Sequence, residues 1–253
     1  MPKFDARTPR LFVEPPLAAG VGIPLDRDQT NYLGNVLRLA AGDTVRVFNG
    51  RDGEWQATLA GRKRPDRAEI VSQTRSQDRL PDLHYVFAPL KHARLDYMVQ
   101  KAVEMGASAL CPVTTRFTQA TRVNTDRMRA NVIEAAEQCG ILSLAEVREP
   151  EPLERYLSQR SDGRLLVFCD EEAPDGDPAA ALSHAHKEAL SGIDVLIGPE
   201  GGFAEEERTM LLKQPRLVRI ALGPRILRAD TAAVAALALV QTALGDWGSV
   251  MHA

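Results

Sequence analysis

The sequence predicts an α/β protein in two parts: a small β-barrel over residues 1–72 and a strand–helix domain over residues 83–253, joined by a linker at 73–82. Three observations carry this reading. Short runs of alternating polarity, punctuated by Asn49-Gly50 and Asp52-Gly53, fill the first part. The stretch from Ser72 to Asp82 is polar and nearly devoid of apolar residues. Beyond it, continuous apolar runs recur, and a helix is expected after each.

In the first part, Arg10-Leu11-Phe12-Val13 reads as a strand stopped by Pro15-Pro16. Tyr32 to Arg38 reads as a short helix. Thr44–Phe48 and Glu54–Leu59 face each other across the Asn-Gly and Asp-Gly turns, and Arg67–Val71 supplies a further strand. A small barrel accommodates this pattern. In the second part, Tyr85–Phe87 precedes a helix whose apolar positions Leu95, Met98, Val99, Ala102 and Val103 repeat at helical spacing. Ala109–Val113 precedes a helix over 126–138. Leu165–Cys169, Ile193–Ile197 and Leu217–Leu222 have the continuous apolar character of buried parallel strands, and an Ala-rich helix spans 229–244.

Composition excludes several classes of protein. With 253 residues, 44% hydrophobic and 26% charged, the chain has ordinary globular proportions, which argues against disorder. The longest apolar run, Ala232–Val240, has nine residues against the ~20 needed to span a bilayer. Met1-Pro2-Lys3-Phe4-Asp5 leads into polar residues rather than a secretory leader, so a soluble protein of the cytoplasm is expected. Cys111, Cys139 and Cys169 form no paired motif, and the five histidines form no metal-binding spacing. Reduced thiols and no metal are therefore expected. Residues 1–80 hold 13 Lys+Arg against 10 Asp+Glu, and the remainder holds 18 against 24, so a net charge of −3 conceals a mildly basic first part. Its cations are almost all arginine, the residue suited to planar recognition of phosphate.

Two loops carry the chemistry, and each follows a predicted buried strand. Gly198-Pro199-Glu200-Gly201-Gly202-Phe203 precedes a helix starting with Glu205-Glu206-Glu207. Glycines at the carboxyl end of a strand let a ligand approach backbone amides closely. The three glutamates oppose phosphate at that helix start, so a ligand with polar edges and no phosphate fits better. The loop is neither a P-loop nor a dinucleotide fingerprint, because the chain contains no Gly-Lys pair and no GxGxxG. The second loop, Gly223-Pro224-Arg225-Ile226-Leu227-Arg228-Ala229-Asp230-Thr231-Ala232, joins the last strand to the last helix. Asp230 or Thr231 is placed to cap that helix. Its two arginines straddle two apolar residues, an arrangement able to meet phosphate or a base while Ile226 and Leu227 line a pocket.

GPEGGF followed about twenty residues later by LGPRILRADTA resembles the RsmE family of the SPOUT (α/β-knot) methyltransferases. Arg10–Val13, Tyr32–Arg38 and Gly42-Asp43 resemble that family's N-terminal PUA-like RNA-binding domain. Lys91, Arg94, Gln100–Gly106 and Glu134–Gly140 resemble its central segments. The resemblance implies a SPOUT domain with a deep trefoil knot and a homodimer. It also implies S-adenosylmethionine as cofactor, and methylation of N3 of a specific uridine in 16S ribosomal RNA of the small subunit. Departures from the family pattern stand at Asn31 (usually His), Ile141 (Arg), Ala145 (Pro), Ala204 (Ser or Thr) and Asp230 (Glu).

On this resemblance the cofactor lies against the backbone of Leu196, Ile197, Gly198, Glu200, Gly201 and Gly202. The facing wall comes from Ile220, Leu222, Gly223, Ile226 and Leu227. Uracil N3 attacks only once its proton is removed or the anion stabilised, which makes Glu200 and Asp230 candidate acceptors and Arg225 and Arg228 candidate stabilisers. No covalent enzyme nucleophile is required. Arg7, Arg10, Arg38 and Arg46 are expected to form a basic RNA-binding face, with Lys91 and Arg94 as further RNA contacts. Ala232, Ala236 and Leu239 are expected near the dimer interface. The competing readings are another SPOUT enzyme acting on a ribose hydroxyl or a transfer-RNA base, or a non-catalytic RNA-binding protein.

Overall fold

In the computed structural model, which describes residues 8–91, 93–120, 122–173, 176–185 and 190–247, the alternating runs of the first part form strands. These are β1 (Arg10–Phe12), β2 (Gly22–Pro24), β3 (Thr44–Phe48), β4 (Glu54–Ala60) and β5 (Arg67–Arg75), in the sheet order β1-β3-β4-β5-β2. β1 runs parallel to β3, and the other pairings are antiparallel. The alternation turns Val45, Val47, Ala57, Leu59, Ala68 and Ile70 onto one core with Leu11, Val13, Ile23 and Leu33. The β3–β4 turn is built by Asn49, whose Oδ1 accepts the backbone N–H groups of Arg51 (3.2 Å) and Asp52 (2.9 Å). Gly53 closes it at φ 79°, where a Cβ would fall 2.4 Å from the Arg75 carbonyl oxygen.

Three features differ from the sequence reading. β2 was not expected, because three residues are too few to show an alternation. The helix begins earlier, as α1 (Arg27–Asn31), where Asp26 accepts from Gln29 N at 2.8 Å and Gln29 Oε1 accepts from Asp26 N at 3.0 Å. It then widens to a π-helical turn over Tyr32–Val36, with Leu37 N–H donating to Tyr32 O five residues back, before Arg38 leaves it at φ 58°. Finally, β5 continues into the stretch expected as linker. The polar side chains there have partners: Thr74 Oγ1 donates to Glu54 O (3.1 Å), and Gln77 Nε2 donates to Ser143 Oγ (2.9 Å).

The contacts divide the chain into Met1–Arg79 with Ala136–Leu144, and Leu80–Ala135 with Ala145–Ala253. The sequence reading ended the first domain at 72 and ran the second without interruption from 83, so it did not anticipate the return of 136–144 to the first unit. Phe48, Ala136 and Leu142 form a small second core there, flanked by Phe12, Ile141 and Leu144. Arg10, expected on the RNA face, is 6% exposed. Its Nε donates to Glu54 Oε2 at 2.9 Å, and its Nη atoms donate to the carbonyls of Ala136, Glu137 (3.0 Å) and Ile141 (3.0 Å). Arg10 is thus a buried helix-end partner rather than a phosphate ligand.

The second unit contains β6 (Leu83–Phe87), α2 (Ala93–Glu104), β7 (Ala109–Thr114), α3 (Thr125–Cys139), β8 (Glu146–Val147), β9 (Glu151–Pro152), α4 (Leu153–Gln159), β10 (Leu165–Cys169), α5 (Pro178–Ala185), β11 (Ile193–Ile197), α6 (Glu205–Leu212), β12 (Leu217–Ile220) and α7 (Ala229–Leu244). The last turn of α3 groups with the first unit. The sheet order is β12-β10-β11-β6-β7-β8, with β9 also on β7, and every pairing is parallel. The five apolar positions expected for α2 are its buried face. β8 and β9 were not expected, since two-residue strands leave no pattern to read, and the seven-residue helix α4 was not expected either. Asp194 on β11 is fully buried beside Arg164 Nε (2.7 Å) and Arg160 Nε (3.3 Å). The nearby His84 Nδ1 lies 3.3 Å from Asp194 Oδ1 without hydrogen-bond alignment. Among the described residues no helix is long and apolar enough to cross a membrane, and no acidic, His or Cys cluster could hold a metal ion.

Candidate active site

Both chemistry-bearing loops leave the carboxyl ends of parallel strands, and those strands, β11 and β12, flank β10. In an open parallel sheet this edge is where ligands bind, since each turn presents backbone groups there. The loop after β11 folds back on itself. A Cβ on Gly198 would lie 2.5 Å from the Phe203 ring, which packs edge-on against Phe168 at 5.4 Å. Gly202 N–H donates to Pro199 O at 3.0 Å, and Gly202 adopts φ 72°. Gly201 lies under Phe117, whose Cβ would be 3.3 Å from a Cβ built there.

α6 then starts at Ala204, which has no hydroxyl to cap it. Glu207 compensates in part: its Oε2 accepts from Ala204 N at 2.9 Å, and its Oε1 accepts from Arg116 N at 2.8 Å. This is half a capping box, and it ties the Thr115–Thr118 turn to the glycine loop. Glu200 is exposed at the loop tip, with Arg94 Nη1 3.8 Å from its carboxylate.

In the loop after β12, Gly223 adopts φ 95°, Arg225 and Arg228 are exposed, and Ile226 is 95% exposed. The expected cap by Asp230 or Thr231 is not formed. Arg228 takes the N-cap position through its backbone alone, so Asp230 falls inside the first turn. There its Oδ1 accepts from Thr231 N at 2.9 Å, and its charge is favoured by the helix dipole.

Among the predicted cofactor residues, Leu196, Ile197 and Ile220 are buried strand residues, so any part they play is through the backbone. The carbonyls of Ile197 and Ile220 already accept from Ala88 N (3.1 Å) and Asp170 N (3.0 Å). Open backbone begins at the glycines. A Cβ built on Gly202 or Gly223 meets no atom within 4 Å, so the backbone at both glycines is open to close approach by a ligand. Leu222 and Leu227, near Gly223 in sequence, are half-buried. The residues present therefore fit the expected nucleoside-bearing ligand.

Of the expected RNA contacts, Arg38, Lys91 and Arg94 are exposed, and Arg46 is half-buried with Nη1 3.4 Å from Gln56 Oε1. Arg7 lies outside the described residues. Two of the three cysteines, Cys111 and Cys169, are held as neutral thiols, while Cys139 is exposed on α3. Burial pushes the Cys169 thiol up to about 12, with the Asp170 carboxylate adding to the shift, and burial pushes Cys111 up to about 12. Burial likewise raises Tyr85, whose hydroxyl donates to Met98 Sδ at 2.8 Å. The turn after β10, Asp170 to Glu172, is a further charged site that local pattern does not single out. Its only signal is an acidic triplet at a strand end, between the two strands that carry the glycine loops.

A parallel α/β domain with glycine loops at the ends of two strands that flank a third, following a small β-domain in the sequence, is the arrangement that the comparisons with known proteins assign to RNA methyltransferases. The family models agree: an RNA methyltransferase domain matches residues 77–241, and an RNA methyltransferase PUA domain matches residues 25–70. Ribosomal RNA small subunit methyltransferase E of Rickettsia conorii is 30% identical over 234 residues, covering 92% of this chain and 94% of its own length. The S-adenosylmethionine-bound structure of the Neisseria gonorrhoeae enzyme of the same name is 26% identical with a TM-score of 0.80, covering 95% of this chain and 99% of that one. A methyltransferase of Legionella pneumophila, solved with the same cofactor, is 25% identical with a TM-score of 0.80, covering 94% of this chain and 98% of its own. The chain belongs to the ribosomal RNA small subunit methyltransferase E family.

Proposed function

We propose that this protein methylates N3 of one uridine in the 16S ribosomal RNA of the small subunit, using S-adenosylmethionine, as a cytoplasmic homodimer. The observation that carries the reading is the pair of open glycine loops at the carboxyl ends of β11 and β12. Gly198, Gly201, Gly202 and Gly223 would hold the cofactor through their backbones, with Ile226 and Leu227 as apolar wall. The bound cofactor supplies an electrophilic methyl group on a sulfonium.

The protein's own groups prepare the base. Arg228, with Arg225 beside it in the loop, stabilises negative charge on the uracil carbonyls as N3 loses its proton. Asp230 or Glu200 accepts that proton. The first unit holds RNA through phosphate contacts from Arg38 and Arg46, and Lys91 and Arg94 add contacts from the second. α7 contributes to the dimer through the half-buried Ala232 and Leu239. Ala236 is fully buried within its own chain and is not an interface residue.

Gly201→Val tests the cofactor site. The valine branches meet Phe117, so calorimetry should show loss of S-adenosylmethionine binding while circular dichroism retains the helical signal. Unchanged affinity would place the cofactor elsewhere. Light scattering at micromolar concentration should give a dimer; a monomer would remove that part of the proposal.

A further inference from the structure

β10 lies between the two strands whose loops carry the glycines, and just past its end stands Asp170, with a side chain 2% exposed. Asp170 Oδ1 accepts from Arg208 Nη1 at 2.7 Å and from Glu172 N at 3.1 Å. Its Oδ2 accepts from Arg208 Nη2 at 3.1 Å and from Arg219 Nε at 2.7 Å. Arg208 lies in α6, the helix that follows Gly198–Phe203, and Arg219 lies on β12 just before the loop that opens at Gly223. Glu172 closes the cluster: its carbonyl accepts from Arg219 Nη2 at 2.6 Å, and its carboxylate lies 2.9 Å from Arg208 Nη2. Two guanidiniums and two carboxylates balance in charge.

A carboxylate buried this deeply is costly unless donors compensate it, and apolar residues of similar volume often stabilise a fold as well. What an ion cluster adds is direction, because each donor is fixed in angle as well as distance. Here one carboxylate is bonded to the element that follows the first glycine loop and to the element that precedes the second. We propose that Asp170 is a positioning residue that holds the two glycine loops in register with each other for the cofactor. The proposal rests on the reading of these loops as the cofactor site.

Amide hydrogen exchange on the cofactor-free protein and calorimetry with S-adenosylmethionine test it together. Asp170→Asn should speed exchange in both 198–203 and 221–228, leave β6, β7 and α2 unchanged, and weaken cofactor affinity roughly tenfold or more. Arg208→Gln should loosen 198–203 alone, and Arg219→Gln should loosen 221–228 alone; these two variants decide the matter if Asp170→Asn fails to fold. Exchange that rises evenly across the sheet, exchange unchanged in both loops, or loosened loops with wild-type affinity would each overturn the proposal. A wild-type protein that takes up no S-adenosylmethionine would instead overturn the cofactor-site reading, while the exchange pattern would still report on the clamp.

Discussion

Arg228 caps α7 with its backbone, which leaves its exposed guanidinium available to substrate. A donor aimed at developing negative charge in a water-poor site is worth ~3–4 kcal/mol, so Arg228→Ala should slow methylation by roughly two to three orders of magnitude. Its affinity for S-adenosylmethionine should not change, because a cation gains nothing from a sulfonium; a weakened calorimetric affinity would move Arg228 into the cofactor site. Asp230→Asn separates charge from shape, since the amide oxygen can still accept from Thr231 N. A slow but stable variant assigns proton acceptance to Asp230, and a wild-type rate across pH assigns it to Glu200 or solvent. Glycines and arginines at strand ends were legible in the sequence because each has few structural uses there. Arg10 and Asp170 were not, since a charged residue reads as surface until its partner, many residues away, is known. Arg10 meets Glu54, and Asp170 meets Arg208 and Arg219.

At the level of elements, Arg10 joins β1 to the end of α3 and to Ile141 in one buried contact set. Removing one member of a buried pair typically costs ~3–5 kcal/mol, so Arg10→Ala should lose about that much in urea unfolding. The same variant, assayed at a temperature where it is folded, should keep the wild-type dependence of RNA affinity on salt. Arg38→Ala should instead lower the log–log salt slope by about one, as expected for one lost phosphate contact. Equal slopes for Arg38→Ala and wild type would remove Arg38 from the interface. Helical spacing of apolar residues made α2 readable, an Ala-rich composition made α7 readable, and continuous apolar runs marked the buried parallel strands. β2, β8 and β9 are too short to carry any such pattern and exist only through their neighbours. The Asp26/Gln29 box at the start of α1 has a local sequence signal, a capping Asp three residues before a Gln.

For the whole molecule, pH dependence follows from the buried carboxylates. Burial alone would raise Asp194, but the His84 ring and the Arg164 guanidinium outweigh it and hold the group below its ordinary value of 3.8. Asp170 is likewise lowered, with Arg208 and Arg219 overcoming burial. A depressed folded-state value contributes stability that is complete above the unfolded value and is lost as pH falls through the folded one. Denaturant stability should therefore hold steady from neutrality toward pH 5 and fall below 3.8, with a shallower acid limb in Asp194→Asn. An equally steep limb would contradict this. Refolding should be slow, on the order of milliseconds to seconds, because β6 must pair with β11 more than a hundred residues away. The return of 136–144 to the first unit was not legible, since it depends on contacts and not on local pattern.

N3-methylation of a small-subunit uridine is decided by mass spectrometry of ribosomal RNA from cells lacking this protein. That RNA should lack a single N3-methyluridine in 16S RNA, and purified protein with S-adenosylmethionine should restore it. An unchanged N3-methyluridine, or loss of a ribose or transfer-RNA methyl group in its place, would contradict N3-methylation by this protein.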